Sequence, residues 1–327
     1  MGCTFKTLRV VYGDFTLGVH GEGFDYIFSY AQGGLESLVK NGYEWLYRCP
    51  KPTFWRATTD NDRGSKFHIK SGSWLAADMF IECKDVEVIT DGKSQGKPCA
   101  PENNKYGGDV FAENVIVKYV YETITTPATT VEVVYSVDIK GKIAVNVSYK
   151  GAKGLPQLPV FGLRFIMPTL ADKYTYEGLS GETYPDRMAG AEKGIFEIDD
   201  ISLTNYLVPQ ECGMRMGTEW LEVTRHTSLN NCRKGNSNQI LRIEKKDKGF
   251  AFSCLPYTAS EIENATHHEE LPPVRRTVLC IYGAVRGVGG IDSWGSDVEE
   301  AYHISAEDDI KYSFCDLLKK EMPALAL

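Results

Sequence analysis

Three polar segments of the sequence carry residue types that could do chemistry, and each is interrupted by glycine or proline. The first, residues 54–64, reads Phe-Trp-Arg-Ala-Thr-Thr-Asp-Asn-Asp-Arg-Gly and runs from an aromatic pair into a dense polar turn. The second, residues 178–187, ends in Tyr-Pro-Asp-Arg, and a loop of similar character follows at 209–215. The third, residues 287–295, reads Gly-Val-Gly-Gly-Ile-Asp-Ser-Trp-Gly.

The candidate side chains in these segments fall into two groups. Trp294 is a candidate for sugar binding, because an indole ring offers a flat apolar face to the C–H face of a sugar and one N–H donor. On composition alone, a tryptophan packed in the core and one exposed for stacking are equally consistent. The candidates for a cleft edge or an interface are Arg56, Asp60, Asn61, Asp62, Tyr184, Asp186, Arg187, Asp292 and Ser293.

The polar segments also have structural interpretations, which the sequence leaves open. Asp and Asn bond readily to their own backbone in turns, so residues 54–64 would then form a buried, self-bonded corner. The acids and bases of 178–187 and 209–215 would pair with one another in salt-bridged loops.

Signatures of other chemistries are missing from the sequence. It contains no G-x-S-x-G nucleophile elbow and no Walker A loop. The Gly-rich run at 287–290 leads into a loop rather than a helix, so a dinucleotide cradle is not expected. The six histidines show no i, i+4 pair and the nine cysteines no C-x-x-C pair, so no metal site is expected. The 44 acidic residues lie mostly on polar strand faces, and no catalytic carboxylate is expected among them.

Charge and hydropathy bound the cellular context. The net charge is −8 and the sequence shows no cluster of Lys and Arg, so nucleic acid is not an expected partner. No window approaches the 18 or so apolar residues of a membrane span. Residues 1–11 lack the apolar stretch of a signal peptide, and the scattered cysteines are typical of reduced thiols. We therefore expect a cytoplasmic protein.

Apolar residues alternate with polar ones along most of the chain, which predicts an all-β protein built as a large antiparallel sandwich. The clearest case is residues 131–150, a predicted hairpin that turns at Lys140-Gly141-Lys142, with residues 115–123 as a neighbouring strand. A second hairpin is predicted at 239–254, turning at 246–249.

Few segments favour a helix. Thr258-Ala259-Ser260-Glu261 has the form of a capping box, which predicts a helix from there to about His268. A short turn is expected at Ser73 to Met79, and residues 91–109 read as a long surface loop. We expect one domain over residues 1–320, followed by a tail at 321–327.

Taken in this order, the segments resemble the small-chain domain of the family 2 β-galactosidases over nearly all of residues 10–315. Two positions depart from the family pattern: Thr58 stands where the family usually has proline, and Ile291 where an acid often precedes Asp-Ser-Trp. The residues that carry the resemblance are 11–15, 54–64, 184–187, 258–261, 267–268 and 289–294.

The resemblance implies a galactose mutarotase-like supersandwich and a separate small subunit beside a large catalytic subunit. That large subunit would hydrolyse terminal β-galactosides such as lactose with retention. In the family, the tryptophan of Asp-Ser-Trp stacks on the sugar in the aglycone position, a role that the resemblance assigns to Trp294. The family's catalytic glutamates and its magnesium and sodium ligands lie in other domains and match nothing here. The resemblance therefore implies no catalytic residue and no cofactor in this chain.

Two other functions stay open. A free-standing carbohydrate-binding module would bind sugars without a partner. An aldose 1-epimerase would share the fold, and fold does not fix function. Epimerisation needs an acid and a base across the sugar ring, usually Glu and His, and no histidine here aligns with that family's motif.

Overall fold

The computed structural model describes residues 7–100, 110–229, 238–292 and 295–317. These residues form three β-sheets of six, ten and five strands, together with three α-helices of four to six residues. Neighbouring strands run antiparallel in each sheet. The all-β, antiparallel fold class predicted from the alternation is therefore confirmed.

The six-stranded sheet is a meander to which one later strand is added at an edge. Its strands, in spatial order, are β5 (Tyr43–Glu44), β4 (Gly34–Lys40), β3 (Phe24–Ser29), β2 (Thr16–Gly21), β1 (Leu8–Tyr12) and β9 (Val110–Ala112).

The ten-stranded sheet draws on most of the chain. Its strands, in spatial order, are β15 (Lys193–Ile198), β14 (Lys173–Leu179), β17 (Trp220–Arg225), β18 (Gln239–Lys245), β21 (Ile310–Leu317), β12 (Ile143–Tyr149), β11 (Thr130–Asp138), β10 (Asn114–Glu122), β7 (Glu82–Thr90) and β8 (Lys93–Gly96). The strand β21 lies inside the sheet, where it pairs with β18 on one side and β12 on the other.

The five-stranded sheet is the most deeply buried. Its strands, in spatial order, are β16 (Arg215–Thr218), β19 (Phe250–Leu255), β20 (Val278–Val285), β13 (Val160–Ile166) and β6 (Arg48–Thr53). The helices are α1 (Asp60–Gly64), α2 (Phe67–Lys70) and α3 (Ala259–Asn264), with 3₁₀ turns at Gly72–Trp74, His268–Glu270 and Glu300–Tyr302.

Alternate side chains of the ten-stranded sheet fill the core. On β10 and β11 every second residue is buried, including Val115, Tyr119 and Tyr121. The Tyr119 and Tyr121 hydroxyls donate to the carbonyl oxygens of Gly34 and Gly33, at 3.2 and 2.8 Å. Because those glycines stand at the start of β4, the two hydrogen bonds tie the ten-stranded sheet to the six-stranded one.

A buried ion pair joins the same two sheets. The Lys40 ammonium on β4 lies 2.6 Å from an Asp316 carboxylate oxygen on β21. Burial lowers the pKa of Lys40 and raises the pKa of Asp316, while each charge opposes its partner's shift. An isolated charge at this depth would be strongly destabilising, so the pair fixes how the sheets face each other.

Several predicted elements are confirmed. Strands β11 and β12 form the predicted hairpin, and β10 pairs with β11 as the predicted neighbour. A 3₁₀ turn at Gly72–Trp74 begins the turn region expected at Ser73 to Met79. Within the predicted surface loop 91–109, Lys93–Gly96 instead forms the short edge strand β8. Residues 101–109 and the predicted tail lie outside the described residues.

The predicted hairpin at 239–254 is wrong in its pairing. Both strands exist, but β18 pairs with β17 and β21 in the ten-stranded sheet, whereas β19 pairs with β16 and β20 in the five-stranded sheet. All six residues of β19 are buried, so it is an inner strand covered on both faces rather than the half-exposed partner of β18. The turn at 246–249 therefore carries the chain from one sheet to another.

The predicted helix after Thr258 begins as expected but ends sooner. Thr258 and Glu261 form the predicted capping box. Helix α3 then ends at Asn264 instead of about His268, since Ala265 adopts an extended conformation. A separate 3₁₀ turn follows at His268–Glu270, where the Glu270 carboxylate accepts from the Thr266 backbone N–H at 2.7 Å.

Candidate functional site

The three polar segments singled out in the sequence meet in the structure. We refer to residues 54–64, 184–187 and 286–292 together as the loop cluster. The Gly287 carbonyl accepts a hydrogen bond from Arg56 at 3.1 Å, and the Val288 carbonyl accepts one from the Asn61 amide at 3.2 Å. From the other side, the Asp186 carboxylate accepts from the backbone of the same loop. The first and second segments thus hold the third between them.

A buried ion pair between Arg56 and Asp62 stands at the base of the loop cluster. Two guanidinium nitrogens of Arg56 lie 2.6 and 3.1 Å from the two Asp62 carboxylate oxygens, and both residues are 2% exposed. Burial alone would raise the pKa of Asp62, but Arg56 and the Thr59 hydrogen bonds lower it overall. Such a two-point, charge-assisted contact fixes the orientation of both side chains.

The Asp62 carboxylate also starts the helix α1. It accepts from the Thr59 backbone N–H at 2.8 Å, while the Thr59 hydroxyl accepts from the Asp62 N–H at 3.2 Å. This reciprocal pair is a capping box, and it satisfies two backbone donors that a helix start leaves free. Asp62 therefore links the helix start to Arg56 and, through Arg56, to Gly287.

The Asp186 side chain binds backbone N–H groups of the third segment. Its two carboxylate oxygens accept from the consecutive N–H groups of Val288 and Gly289, at 3.0 and 2.6 Å. The close approach requires a glycine, since a Cβ on Gly289 would lie 2.7 Å from an Asp186 oxygen. Gly287 and Gly289 are thus explained by contact with a carboxylate of this chain, whereas a Cβ on Gly290 would lie 2.8 Å from the Ser296 carbonyl oxygen.

The far end of the third segment is fixed as well. Gly295 has φ +98°, and a Cβ there would lie 2.8 Å from the Gly64 carbonyl oxygen, so helix α1 and this loop touch backbone to backbone. The Asp292 carboxylate accepts from the Ser296 hydroxyl at 2.8 Å. Ser293 and Trp294 lie outside the described residues, but the residues on both sides of them are held by these contacts.

The predicted site residues differ in how far they are exposed to solvent. Arg56, Asp62 and Tyr184 are each 2% exposed in this chain, and their assignment to a cleft edge or an interface stays a prediction. The exposed candidates are Asp60, Arg187 and Asp292, with Asn61 and Asp186 partly buried. Asp60 accepts from the Arg63 guanidinium at 3.1 Å and the Tyr206 hydroxyl at 2.5 Å.

The salt-bridged loops expected at 178–187 and 209–215 do not form in the described structure. Asp186 bonds to backbone N–H groups, and the Glu182 carboxylate accepts from the Gly213 N–H at 2.9 Å. The carboxylates of these loops therefore accept hydrogen bonds from backbone N–H groups, as Asp and Glu side chains also do in turns and at helix caps.

Two further residues hold the loop cluster but were not singled out from the sequence. Glu263 on α3 accepts from the Thr58 N–H and hydroxyl at 2.7 and 2.8 Å, and from the Trp55 indole N–H at 3.3 Å. Arg286 is fully buried, pairs with Asp297 and stacks 3.8 Å from the Phe67 ring centroid. Glu263 lies two positions after the capping box of α3. Nothing in the local sequence indicated that it would contact Thr58, some 200 residues away.

Glu211 is an unusual acid beneath the second segment. Burial raises its pKa to about 8; the Glu182 and Asp62 charges add to this shift and the Arg56 charge opposes it. The Tyr184 hydroxyl lies 3.5 Å from a Glu211 oxygen, and the neighbouring Gln210 side chain accepts from the Asp60 N–H at 3.1 Å. Glu211 is therefore coupled to both the first and second segments.

Neither a metal-ligand cluster nor a membrane-spanning helix occurs in the described ranges. Those residues contain no group of three or more His, Cys, Asp and Glu side chains placed to hold a metal ion. No helix within the same ranges is long and apolar enough to cross a membrane. The seven described cysteines are free thiols.

Comparison with known proteins points to one family. A family model described as "Beta galactosidase small chain" matches residues 20–315. A β-galactosidase small subunit from Latilactobacillus sakei is 58% identical over 314 residues, which cover 96% of this chain and 99% of that protein.

Longer relatives contain the same region as a part. A β-galactosidase from Halalkalibacterium halodurans is 35% identical over 94% of this chain, and one from Streptococcus thermophilus is 32% identical over 94%. The matched regions make up only 28% and 27% of those two proteins.

Similarity to solved structures is distant. A galactose mutarotase-like protein from Lactobacillus casei aligns over 93% of this chain and 100% of its own, with 11% identity and a TM-score of 0.44. A galactose 1-epimerase from Lactobacillus acidophilus aligns over 94% and 95%, with 8% identity and a TM-score of 0.39. These values carry no conclusion about function.

The substitution Asp186→Asn tests whether the Asp186 carboxylate holds the third segment in place. The amide keeps one acceptor and turns an NH₂ group toward a backbone N–H, so one of two donors is left unpaired. We expect a loss of about 1–3 kcal/mol in the free energy of unfolding, measured with urea. Hydrogen exchange at Val288 and Gly289 should also accelerate.

Asp14→Asn is the matched control, because Asp14 is exposed and a surface change of this kind is typically within about 0.5 kcal/mol. Equal urea midpoints for the two variants, with unchanged exchange at Val288 and Gly289, would show that Asp186 does not hold the loop.

Glu211→Gln tests the raised pKa. In the unfolded chain the glutamate titrates near pH 4.3. Because its folded pKa is about 8, the folded state holds one more proton between these values, and this group's contribution to stability is lost as the pH rises through about 8. We expect the variant to gain stability relative to the native chain as the pH rises from 5 to 8.5, by up to about 4 kcal/mol, because one pKa unit corresponds to about 1.4 kcal/mol.

Unfolding in urea at a series of pH values measures this difference, with the exposed Glu22→Gln as the control that should follow the native profile. A constant difference between Glu211→Gln and the native chain across this range would contradict the assignment.

Proposed function

This chain belongs to the β-galactosidase small-chain family, and from that premise we propose that it is the small subunit of a heteromeric β-galactosidase. The observation that supports this most directly is the nearly full-length match to a small subunit, with 99% of that relative covered. In longer β-galactosidases the same region is about a quarter of the protein. A chain of this length would therefore need a large subunit to supply the remainder.

In the proposed complex, the large subunit cleaves the glycosidic bond. Retaining hydrolysis of a β-galactoside needs two carboxyl groups about 5–5.5 Å apart, one as acid/base and one as nucleophile. We propose that the large subunit contributes this pair and binds magnesium and sodium, while the small subunit contributes no catalytic residue and no cofactor. The complex is proposed to be cytoplasmic and to act on β-galactosides such as lactose.

The small subunit would complete the aglycone side of the active site. Its loop cluster supports this role, because the residues before and after Ser293 and Trp294 are held by Arg56, Asn61, Asp186 and Gly64. A supporting shell of this kind is what a stacking side chain needs in order to bind a sugar in one orientation. We propose that Trp294 stacks on the leaving sugar.

Reconstitution tests the proposal. The two subunits are purified separately, and hydrolysis of a chromogenic galactoside is measured for each alone and for the mixture. We expect the small subunit alone to be inactive and the mixture to gain activity until the subunits are equimolar. Three results would contradict the proposal: galactoside cleavage by the isolated chain, epimerase activity in a coupled polarimetric assay, or tight lactose binding by the isolated chain in calorimetry.

Trp294→Ala tests the stacking role in the reconstituted complex. Loss of one large apolar contact costs about 1.5–3 kcal/mol, so binding of a disaccharide aglycone should weaken roughly 10- to 150-fold. Inhibition by free galactose should change much less. Trp294→Phe keeps a flat ring and is the matched control, expected to retain most of the affinity. An unchanged KM for lactose in Trp294→Ala would show that Trp294 does not stack on the substrate.

A further inference from the structure

A surface groove surrounds Tyr47, on the edge of the five-stranded sheet. Two adjoining cavities of about 260 and 550 Å³ share Tyr47, Arg48 and Ile166 in their walls. The Tyr47 ring is 42% exposed, and its backbone N–H donates to the Ile166 carbonyl at 2.8 Å. We call the two cavities together the Tyr47 groove.

Three arginines of this groove have no counter-ion among the described residues. The Arg276 and Arg48 guanidinium carbons lie 3.5 and 5.5 Å from the Tyr47 ring centroid, and Arg275 lines the same cavity. Among the described residues, none of these three guanidinium groups lies within ion-pair distance of a carboxylate. The Arg276 Nε is buried and makes no hydrogen bond in that part of the chain.

The acids on the groove walls form no ion pair with these three arginines in the described structure. Glu261 accepts from the backbone and hydroxyl of Thr258 at the start of α3. Asp78 pairs with Arg164, and Glu36 is exposed and lines the larger cavity together with Arg48. By contrast, the buried arginines Arg56 and Arg286 both have aspartate partners.

This local positive charge is unexpected in a chain with a net charge of −8. Arg48 stands more than 220 positions before Arg275 and Arg276, so the sequence shows no basic cluster, and the fold creates one. Guanidinium groups form two-point hydrogen bonds with carboxylates, so three unpaired ones in a groove fit an acidic partner.

The groove also has the composition of a protein interface. Tyrosine, arginine and methionine are enriched where proteins bind each other. Met79, on the wall of the larger cavity, is 62% exposed, and Val274, beside Arg275, is 46% exposed. Pro50 and Pro52 deprive the edge strand β6 of two backbone donors, so binding here would run through side chains rather than through an added strand.

We propose that the Tyr47 groove binds an acidic segment of the large catalytic subunit, with Arg48, Arg275 and Arg276 pairing with its carboxylates around Tyr47. This inference rests on the proposed function. It places one contact between the subunits on a face defined by β6 and the segment 271–277, and it explains why these arginines have no acidic partner within the described chain.

The test measures association of the separately purified subunits by calorimetry at low and high salt. Arg48→Glu combined with Arg275→Glu should weaken association at least about 30-fold and reduce its salt dependence, as expected when arginines at an interface centre are lost. The matched control is Lys140→Glu combined with Lys193→Glu, which makes the same charge change at exposed positions on other strands and turns. It should stay within about threefold of the native chain.

A second pair of variants separates charge from folding. Arg48→Lys combined with Arg275→Lys keeps both charges and should retain most of the affinity, while thermal unfolding shows whether each isolated variant is folded. Failure of the native subunits to associate would overturn the proposed function itself. Native association that the Glu variant leaves unchanged would overturn only the groove inference. Submillimolar binding of inorganic phosphate to the isolated chain, lost in the Glu variant, would also overturn it in favour of a small-anion site.

Discussion

The loop cluster depends on the buried ion pair between Arg56 and Asp62. A guanidinium removed from water needs a carboxylate in good geometry, and Asp62 supplies both of its oxygens at 2.6 and 3.1 Å. The same carboxylate caps α1, and the same guanidinium bonds to Gly287, so a helix start and a distant glycine loop are placed by one charge pair. Asp186 then holds that loop from the opposite side.

This arrangement suits a chain that contributes a surface to a shared active site. Within the loop cluster, Asp62 and Asp186 accept hydrogen bonds from backbone N–H groups and so support the local fold. Asp60 instead accepts from Arg63 and Tyr206. In the proposed complex, the contribution of this chain would be positional, because the contacts of the loop cluster hold residues 287–292 in place. A rigid support lowers the entropy that a stacking side chain would lose when a sugar binds.

The sequence predicted the strands better than their partners. Alternation along 115–150 was enough for β10, β11 and β12, because each has one buried face and one partly exposed face. It failed at 239–254, since a fully buried strand such as β19 carries no alternation that reveals its sheet. Pairing depends on contacts distant in sequence, which a local pattern does not encode.

The candidate site was predicted in its parts but not as a whole. The polar and Gly-rich segments at 54–64, 178–187 and 287–295 stood out by composition, yet nothing local showed that Arg56 would reach Gly287 or that Asp186 would face Val288. Glu263 and the three arginines of the Tyr47 groove were missed for the same reason. Trp294 is implied by resemblance and stays a prediction.

The interior position of β21 has a consequence for how the protein is made. Residues 310–317 separate β18 from β12, and Asp316 within them pairs with Lys40 of the six-stranded sheet. While the ribosome is still translating the preceding residues, the largest sheet consists of two unjoined halves with open inner edges. Those edges are the surfaces on which nascent chains aggregate, so the time before β21 emerges is when a chaperone would matter most.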